Sequence, residues 1–452
     1  MQSTNFENLP LKKEIISNLK RLNFTSMTPI QQQSLPYTLQ GKDIIAQAQT
    51  GSGKTIAFSL AVLNKLDIKH FRIQTLILAP TRELANQIAK EMKLLAKFTH
   101  NIKITTLCGG VPYKPQVHSL SHQAHIIIGT AGRILKHLTE KTFDPSNITT
   151  LVLDEADRML DMGFEEDINK IINFLPTTNR QTLLFSATYP ENIEQLSKSI
   201  LQEPIKIKIE NKNLKPNITE IFYQSNKFTK LDMCYGVLEN YKPNSTIIFC
   251  NTKIQCDQLA NELENLSIDT LVLHSDLDQK DRVETLILFE NKSYPILIAT
   301  DVASRGLDIN NIDLIINYDL PFDKEVYTHR IGRTARAGQD GIAISLVDNI
   351  DDNIYNIPIQ QYNLSINYTN NFTLSATYDT LFINGGKKQK LRAGDILGAL
   401  TAGIGLDKND IGKIDILDFV SYVAINKTKS QQAYDGLTTN KIKGKYFKIY
   451  FV

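Results

Sequence analysis

Cysteine is scarce in this chain: four among 452 residues, at Cys108, Cys234, Cys250 and Cys256. They are too few and too scattered for a disulfide framework, and none forms the C-x-x-C pair of a zinc or redox site. They fit a reducing compartment in which thiols serve as small apolar residues. Long apolar runs are missing too; none approaches the ~20 residues that a membrane-spanning helix requires. The opening MQSTNFENLPLKKEI lacks the apolar core of a secretory signal. A soluble, cytoplasmic protein with no membrane partner is therefore expected. An excess of one charge is also absent, since 50 Lys+Arg against 48 Asp+Glu leave +2. Taken alone, that balance argues against a dedicated nucleic-acid binder. Hydrophobic residues at 42% and charged residues at 22% are ordinary for a globular protein. They exclude a disordered chain, a collagen-like repeat and a coiled-coil rod.

What is present is a repeated pattern, on a length that suggests about three domains. TLILAP (75–80), HIIIGT (125–130), TLVLDEAD (150–157) and QTLLFSAT (181–188) each read as a buried strand ending in a polar site. Continuous apolar runs of this kind suit a parallel sheet covered on both faces. The pattern softens at 207–220, rich in Asn and Lys. It resumes with STIIFCNT (245–252), DTLVLHSD (269–276), YPILIATD (294–301) and DLIINYDL (313–320), so two α/β domains lie in tandem. The polar, Asn-rich stretch 357–373 reads as a second connection. After it the order strand, helix, strand, strand, helix, strand is that of a ferredoxin-like α+β domain. The expected boundaries are 1–208, a linker at 209–218, 219–356, a linker at 357–372, and 373–452.

AQAQTGSGKT (46–55) follows the apolar pair Ile44-Ile45 and precedes an apolar helical stretch. It matches the P-loop pattern G-x-x-x-x-G-K-[ST], except that Ala48 holds the first position. Thr50, Gly51, Ser52 and Gly53 form a turn whose glycines let backbone N–H groups face phosphate oxygens, aided by the start of the following helix. Lys54 would reach the β- and γ-phosphates and Thr55 would ligate Mg²⁺. About 100 residues on, Asp154 ends an apolar strand, at the edge where a parallel sheet presents ligands. An acid there can hold Mg²⁺, partly through water. Glu155 is then placed to orient or deprotonate an attacking water. ATP and Mg²⁺ are the implied cofactors. His118, His122 and His125 have spacing that could suit a metal, but no acid lies beside them and a surface helix explains them better.

Gln49–Thr55, Asp154-Glu155-Ala156-Asp157 and Ser186-Ala187-Thr188 together resemble the DEAD-box RNA helicases, whose other motifs follow in order over residues 6–338. The resemblance implies two RecA-like domains that close on ATP and RNA. Thr28-Pro29-Ile30-Gln31 is similar to the adenine-reading motif, with Phe6 upstream as a stacking ring; a carboxamide can pair bidentately with adenine. Thr81-Arg82, Gly109-Gly110, and Thr130 with Arg133 resemble the RNA-gripping motifs of the first domain. Asn251-Thr252, Gln279 to Arg282, and Thr300-Asp301 resemble those of the second. Such groups hold phosphate and 2′-OH without reading bases. His329-Arg330-Ile331-Gly332-Arg333-Thr334-Ala335-Arg336 is similar to the last motif, which implies Arg333 and Arg336 as arginine fingers. Asp308 would reach the ribose, Ser186 and Thr188 would link to Asp157, and His329 would join that coupling. Four residues depart from the family pattern: Asn23, Ser275 and Ala335 stand where glycine is usual, and Ala131 where proline is.

Residues 380–452 hold 12 Lys+Arg and six Asp, a net +6, which leaves −4 for the rest of the chain. Lys387, Lys388, Lys390 and Arg392 form one basic cluster, and Lys441, Lys443, Lys445 and Lys448 another; such stripes attract phosphates. Leu381-Phe382-Ile383 and Phe419-Val420-Ser421-Tyr422 match an RRM's RNA-stacking strands only in part, so base stacking on this sheet is not expected. With Gly385-Gly386-Lys387-Lys388, Gly394-Asp395 and Ile442-Lys443-Gly444-Lys445 as its strongest matches, the tail resembles the RNA-binding domain of DbpA-type bacterial helicases, which implies an RRM-like fold and a structured large-subunit ribosomal RNA hairpin as partner. A monomer acting on pre-ribosomal particles follows. The rival readings are an ATP-gated RNA clamp or annealing factor with little strand separation, and a DNA translocase, which the motif set disfavours.

Overall fold

The computed structural model describes the chain except for residues 1–3, 50, 100, 210–216, 226, 302–311, 336–339, 348–356, 369–371, 373 and 375. The chain divides into two compact units, one up to residue 212 and the other made of nearly all the rest. In the first unit, β1 (Ile44–Gln47), β2 (Thr75–Leu78), β3 (Ile104–Leu107), β4 (Ile126–Gly129), β5 (Thr150–Leu153), β6 (Gln181–Ser186) and β7 (Ile205–Lys208) form one sheet in the order β3-β4-β2-β5-β6-β1-β7. Every pairing is parallel. Alternate residues feed two cores, one on each face: Ile44, Ala46, Ile77 and Val152 on one side, Ile45, Leu76, Leu78 and Leu151 on the other. Burial on both faces is why these strands read as unbroken apolar runs. Because all strands are parallel, their carboxyl ends share one edge of the sheet, the edge where such folds bind ligands.

The second unit repeats this design with β8 (Ile218–Gln224), β9 (Thr246–Phe249), β10 (Leu271–Leu273), β11 (Ile296–Ala299), β12 (Leu314–Asn317), β13 (Gly341–Val347) and β14 (Ile359–Gln361), in the order β10-β11-β9-β12-β13-β8-β14. It also holds the antiparallel sheet β15 (Tyr378–Ile383), β16 (Ile411–Ile416), β17 (Ser421–Asn426) and β18 (Ile449–Phe451), in the order β16-β17-β15-β18. With the helices Ala393–Gly398 and Ser430–Thr439 on one face, this is the expected ferredoxin-like arrangement.

The stretch 357–372, expected as a linker, is packed where it is described. Its residues 359–361 add β14 beside β8. Tyr362 then packs edge-on against Tyr223 and Phe228, and the Ser365 and Asn367 backbone bonds to Asn240 and Glu239 of the helix Lys230–Tyr241. Tyr368 donates to Asp232 and stacks at an angle on Tyr235. A polar composition concealed this, because the anchoring is done by a few tyrosines and by backbone groups.

The third sheet has part of its open face covered, at β15 to β17, while Tyr450 on β18 stays exposed. Tyr422 donates to Glu284 at 3.0 Å, Asn291 donates to the Thr380 hydroxyl at 3.0 Å, and Lys413 pairs with Glu290. Thr380 and Tyr422 are thereby buried on the face opposite the helices, against the helix Gln279–Glu290 and the turn after it. Burial and the Glu284 carboxylate push the Tyr422 hydroxyl's pKa up, so it stays a donor.

The packed strap leaves room for no side chain at Gly236, where a methyl group would collide with the Tyr362 hydroxyl and approach Ile366. Gly236→Ala should therefore destabilise the second unit by about 1–3 kcal/mol, despite alanine's better helix propensity. Thermal unfolding tests this; an unchanged or higher midpoint would show that the strap is not held as described.

Candidate functional site

The order of the first sheet separates two sets of motifs along one edge. β5, β6 and β1 are neighbours, and their carboxyl ends lead into Asp154-Glu155, Ala187-Thr188 and the P-loop. β3, β4 and β2 are neighbours on the other side, and lead into Gly109-Gly110, Thr130 and Thr81-Arg82.

On the nucleotide side, Gly53 takes φ +92°, a left-handed conformation that glycine adopts freely, and caps the helix Lys54–Lys65. Lys54 is buried and donates to the carbonyl of Ala48 at 2.8 Å, while the Ser52 hydroxyl closes the turn onto the Gln49 carbonyl at 2.7 Å. Gln31 is drawn to this loop: its Nε2 donates to the Gly53 carbonyl at 3.1 Å and its Oε1 accepts from the Thr28 amide at 3.0 Å. The motif expected to read adenine thus also ties the helix Pro29–Thr38 to the phosphate loop. Phe6, the residue expected to stack on adenine, is packed into the protein in this structure. It is only 3% exposed, within the core that includes Leu11, Ile15 and Met27, because an apolar ring at a polar surface turn gains most by burial. Thr50, Asp308 and Arg336 lie outside the described residues.

Asp154 is 2% exposed. Burial, opposed by Lys54 and reinforced by Glu155, pushes its carboxyl up to about 7. A carboxylate this short of positive charge, with the Thr55 hydroxyl one residue beyond Lys54, is a donor set that fits a divalent cation. Glu155 adopts φ +52°, a strained conformation for a residue with a Cβ, and Arg158 holds its carboxylate at 2.9 Å in a buried ion pair. Asp157 is the junction between strands. Its Oδ2 accepts from the Ala187 and Thr188 amides at 3.0 and 2.8 Å and from the Thr188 hydroxyl at 3.0 Å, and the Asp157 amide donates to the Ser186 hydroxyl at 3.3 Å. Burial alone would raise this carboxyl; the Thr188 amide, the Lys54 charge and the two hydroxyls reverse that and hold it below the usual range.

On the other side, Thr81 and Thr130 begin the helices Arg82–Leu95 and Ala131–Thr139, and the Thr81 hydroxyl accepts from the Leu84 amide at 3.2 Å. Gly110 takes φ +69°, and the Arg82 guanidinium occupies the space that a side chain there would need. Arg133 donates twice to the Val111 carbonyl, at 3.1 and 3.2 Å. Arg82, Thr130 and Arg133 therefore all contact the loop that carries Gly109 and Gly110.

In the second unit, Thr252 caps the helix Lys253–Asn265 and Thr300 follows β11; both lie on the β10-β11-β9 half of the edge. Arg282 is buried near the start of its helix. The residue that organises this edge had no role assigned from sequence. Arg330 is 2% exposed and grips Asp301 with two bonds of 2.7 Å. It also donates to Asn251 at 2.8 Å and to the Asp319 carbonyl at 2.5 Å, and lies over the Phe249 ring. Three arginines at three-residue spacing were visible, but which one faces inward depends on the fold. Arg333 is buried as well, and His329 is half-buried on the helix Lys324–Ile331.

Known families match along the whole arrangement: a DEAD/DEAH box helicase domain at residues 28–196, a helicase conserved C-terminal domain at 227–338 and a DbpA RNA binding domain at 380–450. The chain is 45% identical over 440 residues to the ATP-dependent RNA helicase DbpA of Escherichia coli K12, covering 96% of both chains. It belongs to the DbpA-type DEAD-box helicases. The Bacillus subtilis DbpA is 37% identical over 475 residues, covering 99% of each. Among solved structures, Saccharomyces cerevisiae Dbp5 bound to RNA and ADP BeF3 matches with a TM-score of 0.70 at 31% identity, covering 80% of this chain and 96% of that one. Mss116p bound to ssRNA and AMP-PNP matches at 0.71 and 28%, covering 80% of each. The chain is thus an ATP-binding RNA helicase with an RNA-dependent ATPase activity and a dedicated RNA-binding domain.

In this DbpA-type domain the basic residues lie away from the covered sheet face. Lys387, Lys388, Lys390 and Arg392 are all exposed. Gly385 and Gly386 let their loop lie against Phe447 and the β16–β17 turn, where the Lys387 and Lys388 amides donate to the Leu417 and Asp418 carbonyls at 2.9 and 2.8 Å. Phe382 contacts Tyr422 and Tyr450 across the sheet. Of the three histidines read as lying on a surface helix, His118 is on the helix Tyr113–Ser121 and His122 ends it, whereas His125 is fully buried just before β4. His125 uses both ring nitrogens, on the Lys103 amide and the Ile68 carbonyl, and no cluster able to hold a metal occurs among the described residues. No helix among them is long and apolar enough to cross a membrane.

The departures from the DEAD-box pattern have a structural reading. Asn23 takes φ +62° and Ala335 φ +54°, so both occupy left-handed positions where glycine carries no penalty. Asparagine tolerates this and alanine does so less well. Ser275 does not adopt a positive φ. Ala131 is the first residue of its helix, a position where proline loses no hydrogen bond and alanine serves as well. Ala335→Gly should therefore stabilise the second unit, by about 1 kcal/mol, seen as a melting midpoint higher by a few degrees. A lower midpoint would mean that the alanine's methyl group gains more from its burial than its backbone loses.

Proposed function

We propose that this helicase unwinds short RNA duplexes locally, through ATP- and RNA-driven closure of its two RecA-like domains. Its C-terminal domain would direct it to a large-subunit ribosomal RNA hairpin, on pre-ribosomal particles, as a cytoplasmic monomer. The observation that supports the reading is that strand order gathers the phosphate loop, Asp154-Glu155 and Thr188 at β1, β5 and β6, beside the motifs that resemble an RNA grip at β2, β4 and β3, with Asp157 tying the ends of β5 and β6 through Ser186 and Thr188.

Lys54 and the amides of Gly51, Ser52 and Gly53 bind the phosphates of ATP, and Thr55 with Asp154 would hold Mg²⁺. The ion would supply charge neutralisation at the β- and γ-phosphates. Glu155 orients the attacking water, which requires the Arg158 ion pair to keep its carboxylate in place. Gln31 reads adenine only by exchanging a partner it now has on the phosphate loop. Arg333 and Arg336 complete the site on closure, so hydrolysis is coupled to RNA held by both domains. Closure bends one strand of an A-form duplex and releases its partner, and hydrolysis reopens the clamp.

Glu155→Gln should keep ATP binding and stop multiple turnover, because the carboxylate that orients water is lost; steady-state ATPase at the unaltered rate would refute that role. Duplex release measured with ATP separates unwinding from the clamp reading, since turnover without release would support a clamp. For targeting, the covered sheet face makes substitution cleaner than truncation, which would expose Tyr422 and its partners. Lys387→Glu together with Lys388→Glu should abolish the preference for a large-subunit ribosomal RNA hairpin over an unrelated hairpin and lower the salt slope of binding by roughly 2. The same ranking of RNAs in both proteins would sink the targeting idea.

A further inference from the structure

The loop between β3 and the helix Tyr113–Ser121 carries Gly109-Gly110, and glycines give it no side chains with which to hold its own shape. Arg82, Thr130 and Arg133 touch the loop, but each is a group assigned to the RNA backbone. One buried support has no such second task. Gln116 is 8% exposed, and its Nε2 donates to the Cys108 carbonyl at 2.9 Å, at the loop's first residue. Its Oε1 lies 3.1 Å from Nε2 of His137, and Nδ1 of His137 lies 2.7 Å from the Thr142 hydroxyl.

For a neutral imidazole, one assignment of protons satisfies this chain. Were the Gln116 amide reversed, its oxygen would face the Cys108 carbonyl, two acceptors with no hydrogen between them. The amide orientation is therefore set, and His137 must carry its proton on Nε2. Its Nδ1 is then an acceptor for the Thr142 hydroxyl at 2.7 Å, nearer than the hydroxyl's other acceptor, the His137 carbonyl at 3.2 Å. The imidazole is fully buried, and burial, with Arg133 and Lys136 near it and only Glu140 opposing, pushes its pKa down to about 4. It stays neutral in ordinary conditions and the bonds run one way, from Thr142 through His137 and Gln116 to the loop. The Tyr113 ring, packed 4.4 Å from the imidazole, closes the side of the chain.

We infer that Gln116 and His137 are positioning residues that hold the Gly109-Gly110 loop in the shape that meets the RNA backbone. This rests on the reading of that loop as an RNA grip, given above. A buried histidine usually serves only packing, but here its donor nitrogen fixes the amide that fixes the loop. A loop released at Cys108 must be ordered again by the RNA at each binding event, which weakens RNA binding and spares the nucleotide half of the edge.

The test uses the full-length protein and titrates ATPase activity with single-stranded oligouridylate, alongside the KM for ATP and the melting midpoint. Gln116→Leu and His137→Phe should each raise the half-saturating RNA concentration by roughly tenfold. The KM for ATP and the rate at saturating RNA should stay unchanged. His137→Gln, whose amide can still donate from near the position of Nε2, should restore most of the RNA affinity. Because the two residues act in one chain, the double variant should bind RNA no more weakly than Gln116→Leu alone. Arg133→Ala serves as the control for the loop itself. If Arg133→Ala weakens RNA binding and Gln116→Leu does not, the positioning role is wrong and the RNA grip stands. If neither weakens it, the reading of the loop as an RNA grip fails with it. A lowered melting midpoint with unchanged RNA half-saturation would mean a purely structural role and would also overturn the inference. Should Gln116→Leu fail to fold, equal RNA half-saturation in His137→Phe and His137→Gln would overturn it instead.

Discussion

A charge taken out of water has to be met by several partners at once, and each helicase domain is organised around one such charge at the carboxyl edge of its sheet. In the first it is Asp157, whose carboxylate collects two amides and a hydroxyl from the segment after β6. In the second it is Arg330, which joins the ends of β9, β11 and β12 through Asn251, Asp301 and the Asp319 carbonyl. Neither group could be buried in isolation, so the strand ends that carry the motifs are locked to one another. A shift of one strand end then costs bonds to a buried charge. That is a physical basis for coupling events at neighbouring strands.

The parallel sheet gives these charges their place. Crossover helices cover both faces, leaving only the edge where strand carboxyl ends meet the helix starts. Strand order decides which loops are neighbours there. In the first domain β5, β6 and β1 gather the motifs proposed for nucleotide, and β3, β4 and β2 those proposed for RNA, although in the chain the second set lies between β1 and β5. The C-terminal domain follows a different rule. Part of its sheet face packs on the helix Gln279–Glu290, while Lys387, Lys388, Lys390 and Arg392 around its glycine-shaped loop stay exposed.

The near-neutral charge of the whole chain is the clearest case of an average that conceals its parts. A basic tail and a mildly acidic remainder sum to +2. The same limit applies to the stretch 357–372, whose polar composition suggested a free connection. Tyr362 and Tyr368 instead seat it on the helix Lys230–Tyr241. Composition averages over residues, while packing is decided by a few of them.

Motifs were legible because their chemistry is local. A glycine turn before Lys54, two acids after an apolar strand, and Ser186-Ala187-Thr188 keep their meaning at fixed spacing, and so did most strands with continuous apolar runs. In the first sheet the strands that escaped notice, β3 and β7, lie at the two edges, where β3 carries Thr105-Thr106 and β7 alternates lysine with isoleucine. The burial of Phe6, the inward turn of Arg330, the ion pair between Glu155 and Arg158, and the chain from Thr142 to Cys108 were decided by tertiary structure. Each depends on which groups meet in space: Gln116 and His137 are 21 residues apart and Arg330 and Asn251 are 79 apart. Sequence determined the chemistry available at each strand end. Only the fold decided which of those groups lost their water and had to find one another.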